Sequence, residues 1–275
     1  MIFKDILTVV TSAKRDAATL TCAEQVATQN NGRVSIEVIG WLPPTLVGEP
    51  FVVNTLYGEL IERAKNDLAA ERTLVAKATS DSCEVRSVLL EMGAAAPAIA
   101  LSARHADISV VTRPSKENWD GPQAILQAAL FHSGRPVLVV PPDWKPRPIG
   151  RSVLIAWKPT PEAALALAEA DAFIASAQRA TVVTIDAKPS QDGYGPAPGA
   201  DISAHLARRG MKVELINLPS AGQSSGKVLL DQALAVDADI IVMGGYGRSR
   251  MSEFIFGGMT RDLLTLSPFP LLMAH

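Results

Sequence analysis

Near the carboxyl end of the chain, Gly244, Gly245, Gly247, Gly257 and Gly258 bracket a short apolar stretch, directly after the apolar run "ADIIVM" (238–243). Glycine turns with positive φ and lets a ligand reach the main chain. Successive N–H groups bared in such a turn form an anion nest. A second donor set lies at "GGMT", where Gly257 and Gly258 precede "MTRDLL", which reads as a helix start. The free N–H groups of a first helical turn, at the positive end of its dipole, favour a phosphate. Between the two sets, "RSRMSEFIF" reads as a short helical loop, and its Arg248 and Arg250 add positive charge. The implied chemistry is phosphate binding. Glu253 and Asp262 are the carboxylates nearest these glycines in sequence. Both read as helix-surface charges, so no general base stands out.

The 275 residues suffice for one large domain or two of roughly 140 residues each. About half are apolar and a fifth charged, as in ordinary globular chains. A net charge of −2 offers no broad basic surface for nucleic acid. No apolar run approaches the ~20 residues of a membrane helix. The start "MIFKDILTVVTSAKRD" lacks a secretory signal pattern. Cys22 and Cys83 make no disulfide framework. These features lead us to expect a cytoplasmic protein with no membrane or nucleic-acid partner.

The elements that must position the glycines alternate regularly. "DILTVV" reads as a strand, Arg15 to Asn30 as a helix and "RVSIEVIGWL" as a strand. Asn54 to Thr79 reads as a long amphipathic helix, with Leu56, Leu60, Ile61, Ala64, Leu68 and Leu74 at helical spacing. "EVRSVLLE" and "DISVVT" read as strands around an Ala95 to His105 helix. A Pro122 to His132 helix precedes "PVLVVP", the fifth strand. Continuous apolar strands between helices indicate a parallel sheet covered on both faces. The order then restarts: "RSVLIAW", "ATVVTID", "MKVELINL", "ADIIVM" and "FPLLMA" answer the five earlier strands. "ADIIVM" stands 132 residues after "ADISVV", and Leu154 stands 147 after Leu7. The matched order points to a duplication. We expect domains at 1–142 and 151–275, joined by a Pro-rich, non-helical linker at 143–150, within "PPDWKPRPIG".

The spacing Gly244-x2-Gly247-x9-Gly257 resembles the nucleotide-phosphate motif G-x2-G-x9-G-[S/T] of the universal stress protein family. "ADIIVMG", the proline of "SPFPLLMA" and the tandem five-strand pattern over nearly the whole chain resemble it too. The resemblance implies an α/β fold of two tandem doubly wound five-stranded parallel sheets, adenine nucleotide alpha hydrolase-like or Rossmann-like, with the last strands of the halves paired. It implies ATP or a related adenine nucleotide, with Mg²⁺, at the second half's glycine loop. Carried over by position, Gly244, Gly247 and Gly257 contact or make room for phosphates, with Arg248 as a charge beside them. Gly258 stands where the motif has Ser or Thr, so a hydroxyl is missing while the backbone N–H remains. The Met259 N–H and the Thr260 hydroxyl are the substitutes at hand. At the adenosine end, ATP-binding members carry an Asp just after the first strand. Lys158 occupies that position in the second half and Thr11 in the first. Ala156, Trp157 and Ile185, at strand ends, are the candidate base pocket. After "ADISVV" the first half has "TRPSKENWDGPQAILQAAL", without the motif and with Pro114 in place of a donor. It reads as a structural or regulatory half.

Other signals are weaker. "AGQSSGKV" (221–228) lacks the spacing of a P-loop and reads as a solvent loop. His105, His132, His205 and His275 have no metal-ligand spacing. No G-x-S-x-G elbow occurs. "QDGYGPAPGAD" (191–201) reads as a connection, with a lid as the alternative. Three function classes stay open: a nucleotide-binding stress sensor or scaffold with an unidentified protein partner, a weak ATPase on the same fold, and a dimerisation module without nucleotide. A homodimer is compatible with each.

Overall fold

The computed structural model describes residues 2–44, 50–115, 120–245 and 258–275. Two compact units divide the chain, Phe3–Arg135 and Pro136–His275. In the first unit, β1 (Asp5–Val10), α1 (Ala17–Asn30), β2 (Arg33–Trp41), α2 (Pro50–Ala78), β3 (Glu84–Leu90), α3 (Ala95–Arg104), β4 (Ile108–Thr112) and α4 (Asp120–His132) follow one another. The strands lie in the order β3-β2-β1-β4, all parallel, with Ile6 opposite both Val34 and Ile108. All five residues of β4 are buried, as expected for a central strand covered on both faces. The edge strand β3 has no buried residue.

The long helix α2 departs from expectation. It begins at Pro50, where a proline is tolerated because a first-turn N–H has no intrahelical partner. Its buried stripe is narrower than the periodicity predicts. Leu60, Ile61, Ala64 and Leu68 are half-buried and Val75 is buried. Leu56 and Leu74 remain 46% and 52% exposed. The helix packs on β2 and on the exposed edge strand β3, so only one row of side chains meets the sheet. Gly40 makes that approach possible: a methyl there would stand 2.8 Å from the Leu89 side chain and 3.3 Å from Leu68.

The second unit contains β5 (Val137–Val140), β6 (Ser152–Ala156), α5 (Pro161–Glu169), α6 (Asp171–Ile174), β7 (Arg179–Ile185), α7 (Ala200–Arg208), β8 (Val213–Leu218), α8 (Ser225–Ala235), β9 (Ile240–Gly244), α9 (Gly258–Leu266) and β10 (Leu271–Ala274). Its strand order is β5-β10-β9-β6-β7-β8. All neighbours are parallel except β5 and β10, which run antiparallel with Leu272 opposite Leu138. Thus β5, fifth in sequence, folds with the second unit and pairs with its counterpart β10. The Pro-rich stretch between β5 and β6 is non-helical, yet Trp144 and Ile149 within it are buried, so it packs against the unit. Among the described residues no helix is long and apolar enough to cross a membrane.

The repeated "ADI" has a structural cause. Asp107, just before β4, accepts the N–H groups of Lys4 (2.7 Å) and Asp5 (3.0 Å) where β1 begins. Asp239, just before β9, accepts those of Gly150 (2.8 Å), Arg151 (2.8 Å) and Ser152 (2.9 Å) where β6 begins. Each carboxylate satisfies N–H groups at the start of a central strand. Burial pushes the Asp239 carboxyl upward in pKa, against the pull of its three donors and of Arg147.

Candidate functional site

Chain order runs outward from β6 through β7 to β8 on one side, while β9 and β10 lie on the other. The reversal between β6 and β9 is a topological switch point, where open α/β sheets bind ligands outside the carboxyl ends of their strands. A cleft of about 520 Å³ lies there. It is lined by Ala156, Trp157 and Lys158 at the end of β6, Val183, Ile185 and Asp186 at the end of β7, and Met243 and Gly244 at the end of β9. The first turns of α5, α8 and α9 reach it through Glu162, Ser225 and Gly258. The macrodipoles of these helices therefore point their positive ends at one hollow.

Seven of the sequence-derived site residues come together: Ala156, Trp157, Ile185, Gly244, Gly258, Met259 and Thr260 all line the cleft. Gly247, Arg248 and Gly257 lie outside the described residues, as do Arg250 and Glu253. Thr260 is buried and borders the cleft, two residues after Gly258 in α9.

The glycines have different tasks. Gly244 does not adopt the left-handed φ expected of a turning glycine. It is instead a close-approach position. A methyl on Gly244 would stand 2.6 Å from the Ala163 nitrogen, 2.8 Å from the Glu162 carbonyl carbon and 3.0 Å from the Ala163 Cα, all backbone atoms of α5. The Gly245 N–H is committed to the sheet, donating to the Ala274 carbonyl at 2.7 Å. Gly258 opens α9 and is exposed, with nothing among the described residues within 4 Å of the space its side chain would fill. The first N–H groups of α9 have no intrahelical acceptor. By contrast, the Thr160 hydroxyl caps α5 by accepting the Ala163 N–H, and the Ser224 hydroxyl caps α8 by accepting the Lys227 N–H, both at 3.3 Å.

That last bond corrects the reading of "AGQSSGKV". Gly226, Lys227 and Val228 form the first turn of α8, behind its Ser224 cap. Gly226 is bare because α9 crosses close by: a methyl there would stand 2.4 Å from the Asp262 Cβ. Asp262 accordingly faces α8 and is not among the residues bounding the cleft.

At the opposite end, the Trp157 N–H donates to the Val183 carbonyl (2.8 Å), extending the β6–β7 ladder by one residue. Its carbonyl accepts from the Tyr194 hydroxyl (3.3 Å). The 191–201 segment is therefore more than a connection, since Asp192 and Tyr194 form a wall of the cleft. Burial, and secondarily the Asp192 charge, push the Tyr194 phenol above its ordinary pKa. Asp186 has a left-handed backbone (φ 51°), and its carboxylate accepts the Ser220 N–H at 2.8 Å. Hydrogen bonding from Ser220 holds that carboxyl below its usual range. Lys158 is exposed, and its carbonyl accepts the Thr160 N–H (2.7 Å), closing a tight turn.

Sequence reasoning missed three carboxylates here, Glu162, Asp186 and Asp192, because all are distant from the glycines along the chain. Two were within reach of a positional rule. Asp186 directly follows the second strand of its repeat, and Glu162 lies in the first turn after the first strand. The Glu162 Oε2 is shielded from solvent and has no hydrogen-bond partner among the described residues.

The equivalent crevice of the first unit is closed among the described residues. Among the described residues, Val9, Thr11, Asp16, Thr112, Pro122 and Ile125 bound no volume that a ligand could fill. Asp16 is 2% exposed and plugs it. Its Oδ2 accepts the N–H groups of Thr11 (2.7 Å) and Ser12 (3.0 Å), and its Oδ1 accepts the Thr112 hydroxyl (2.7 Å). With the Thr112 proton so used, Thr19 donates to the Thr112 oxygen (2.7 Å).

Comparison with known proteins fits this geometry. No curated protein matches the chain. Among solved structures, a universal stress protein from Archaeoglobus fulgidus DSM 4304 aligns at TM-score 0.68 with 16% identity, covering 98% of this chain and 97% of its own. A functionally unknown protein from Pseudomonas aeruginosa PAO1 aligns at TM-score 0.58 with 16% identity, over 99% and 92%. At such identities the likeness is one of fold. The model of the universal stress protein family matches residues 150–275, the segment that contains the cleft. Residues 150–275 thus match the universal stress protein family, and over its full length the chain has the fold of such proteins.

Proposed function

We propose that the chain binds an adenine nucleotide, ATP or a close relative with Mg²⁺, in the cleft of its second unit, and works in the cytoplasm as a nucleotide-responsive stress sensor or scaffold. One observation carries the reading. The strand-end residues Ala156, Trp157 and Ile185 share a single cleft with Gly244 and with the α9 start at Gly258, Met259 and Thr260. An apolar and aromatic end suits a base, and a helix N-terminus suits phosphates. The volume of about 520 Å³ falls within the ~300–1,000 Å³ typical of small-molecule sites. The closed crevice of the first unit supports a structural or regulatory role for that half.

The direct test is calorimetric titration of nucleotide-free protein with ATP and Mg²⁺, beside a melting curve. Ligand at about 100 times its Kd stabilises the folded state by about 2.7 kcal/mol, enough to raise Tm measurably. No heat and no shift at millimolar ATP would sink the reading. Mass spectrometry of ligand released from freshly purified protein identifies the nucleotide.

A further inference from the structure

We propose that Glu162 is the protein ligand of a divalent cation that enters the cleft already chelated by the polyphosphate. The site then takes a metal complex of a nucleoside di- or triphosphate in preference to a monophosphate, a cyclic nucleotide or the metal-free polyphosphate. This inference rests on the nucleotide reading above and specifies the ionic form of the ligand.

Three observations carry it. The first is charge. Among the described residues bounding the cleft, Lys158 is opposed by Glu162, Asp186 and Asp192, a net charge of −2. A bare polyphosphate brought among these carboxylates meets repulsion from them. A chelated divalent ion reverses the sign of the nearest interaction. The second is the orphaned Glu162 Oε2, shielded from solvent and without a donor among the described residues. A buried carboxylate oxygen calls for a cation or a hydrogen-bond donor. The third is position. The backbone of Glu162 is pressed against Gly244, its carbonyl carbon lying 2.8 Å from where a Gly244 methyl would be. Glu162 is therefore anchored beside the end of β9, in the same cleft as the α9 N-terminus that would hold the phosphates. Mg²⁺ is commonly held by one or two carboxylates together with phosphate oxygens, and needs no all-protein cage. One carboxylate beside a phosphate site meets that requirement.

The test titrates nucleotide-free wild type with ATP in excess Mg²⁺, with ATP in EDTA, and with AMP and cyclic AMP, reading heat of binding. The expected result is Mg²⁺–ATP bound about tenfold or more tighter than metal-free ATP, with AMP and cyclic AMP weaker still. Glu162→Gln keeps the size of the side chain and removes its charge, and should bring the metal preference within about threefold of unity. Glu162→Asp should retain part of it, and serves if the first variant does not fold. With Mn²⁺ in place of Mg²⁺, the resonance spectrum of the nucleotide-bound ion should change between wild type and Glu162→Gln. A wild-type affinity indifferent to EDTA, or a metal preference that survives in Glu162→Gln, overturns the role of Glu162 and leaves the nucleotide reading standing. No binding of any nucleotide under either condition overturns both.

Discussion

Replacing Gly244 and Gly258 separately by alanine separates two explanations for a glycine-rich turn. If both glycines serve only to bare the main chain, both substitutions behave alike. The geometry says otherwise. At Gly244 the added methyl meets three α5 backbone atoms at 2.6, 2.8 and 3.0 Å, and no side-chain rotation can relieve it. Either α5 or the end of β9 must move. Overpacking of this kind costs about 1–3 kcal/mol. For a unit of about 140 residues, each kcal/mol lowers Tm by roughly 4 °C, so Gly244→Ala should melt about 4–12 °C below wild type. At Gly258 the methyl meets none of the described residues within 4 Å and falls on the first residue of a helix. Alanine is the better helix former, so Gly258→Ala should melt within about 2 °C of wild type, on either side. Calorimetric melting of the three proteins reads both values. A Gly244→Ala protein melting within about 1 °C of wild type would refute the close approach of α5 to β9.

Three further outcomes follow from the same geometry. Gly258→Ser places a hydroxyl at the start of α9 without a steric clash, and should tighten nucleotide binding by about two- to tenfold, as one added hydrogen bond does; unchanged or weaker binding by calorimetry counts against the open geometry. Asp239→Ala orphans three N–H groups and Asp107→Ala two, with Asp239 only 4% exposed, so urea unfolding should show a loss of about 3 kcal/mol or more for the first and about 1–2 for the second. Equal losses would refute that ordering. Burial pushes the Cys22 thiol far above its ordinary pKa and raises that of half-buried Cys83 less, so Ellman's reagent should modify Cys83 slowly in the native protein and Cys22 only after unfolding. Two thiols titrating natively would contradict the burial of Cys22.

The strands and their repeated order were legible because a central parallel strand must be apolar on both faces, and the run of Ile108 to Thr112 or Ile240 to Met243 states this directly. The matched Asp107 and Asp239 were legible as a repeat, though not as clamps, because their partners lie about ninety or more residues away. Burial depth was less legible. Leu56 and Leu74 satisfy helical periodicity as well as Leu68 does, and only the exposed edge strand beneath α2 decides that they face water. The cleft was half legible for a related reason. Its glycines and strand-end residues are marked by local signals. Glu162, Asp186 and Asp192 enter only through the strand order β9-β6-β7, which adjacency in sequence does not contain.

The two units also close one junction in opposite ways. By the offsets of their strands, Asp16 corresponds to Ala163 and Thr112 to Gly244. In the first unit that pair is a hydrogen bond of 2.7 Å between buried side chains, reinforced by Thr11, Ser12 and Thr19. Side chains there fill the switch point, and every acceptor of Asp16 is spent inside the protein. In the second unit neither residue can supply such a bond, and the helix start meets the strand end through bare backbone instead. Nothing polar is left at the junction to satisfy the hollow above it. The first N–H groups of α9 have no intrahelical acceptor, and Glu162, which borders the hollow, keeps one shielded carboxylate oxygen without a partner among the described residues. On this view the plugged crevice of the first half and the open cleft of the second, among the described residues, follow from one junction, filled by a carboxylate and a hydroxyl in one unit and by bare backbone in the other.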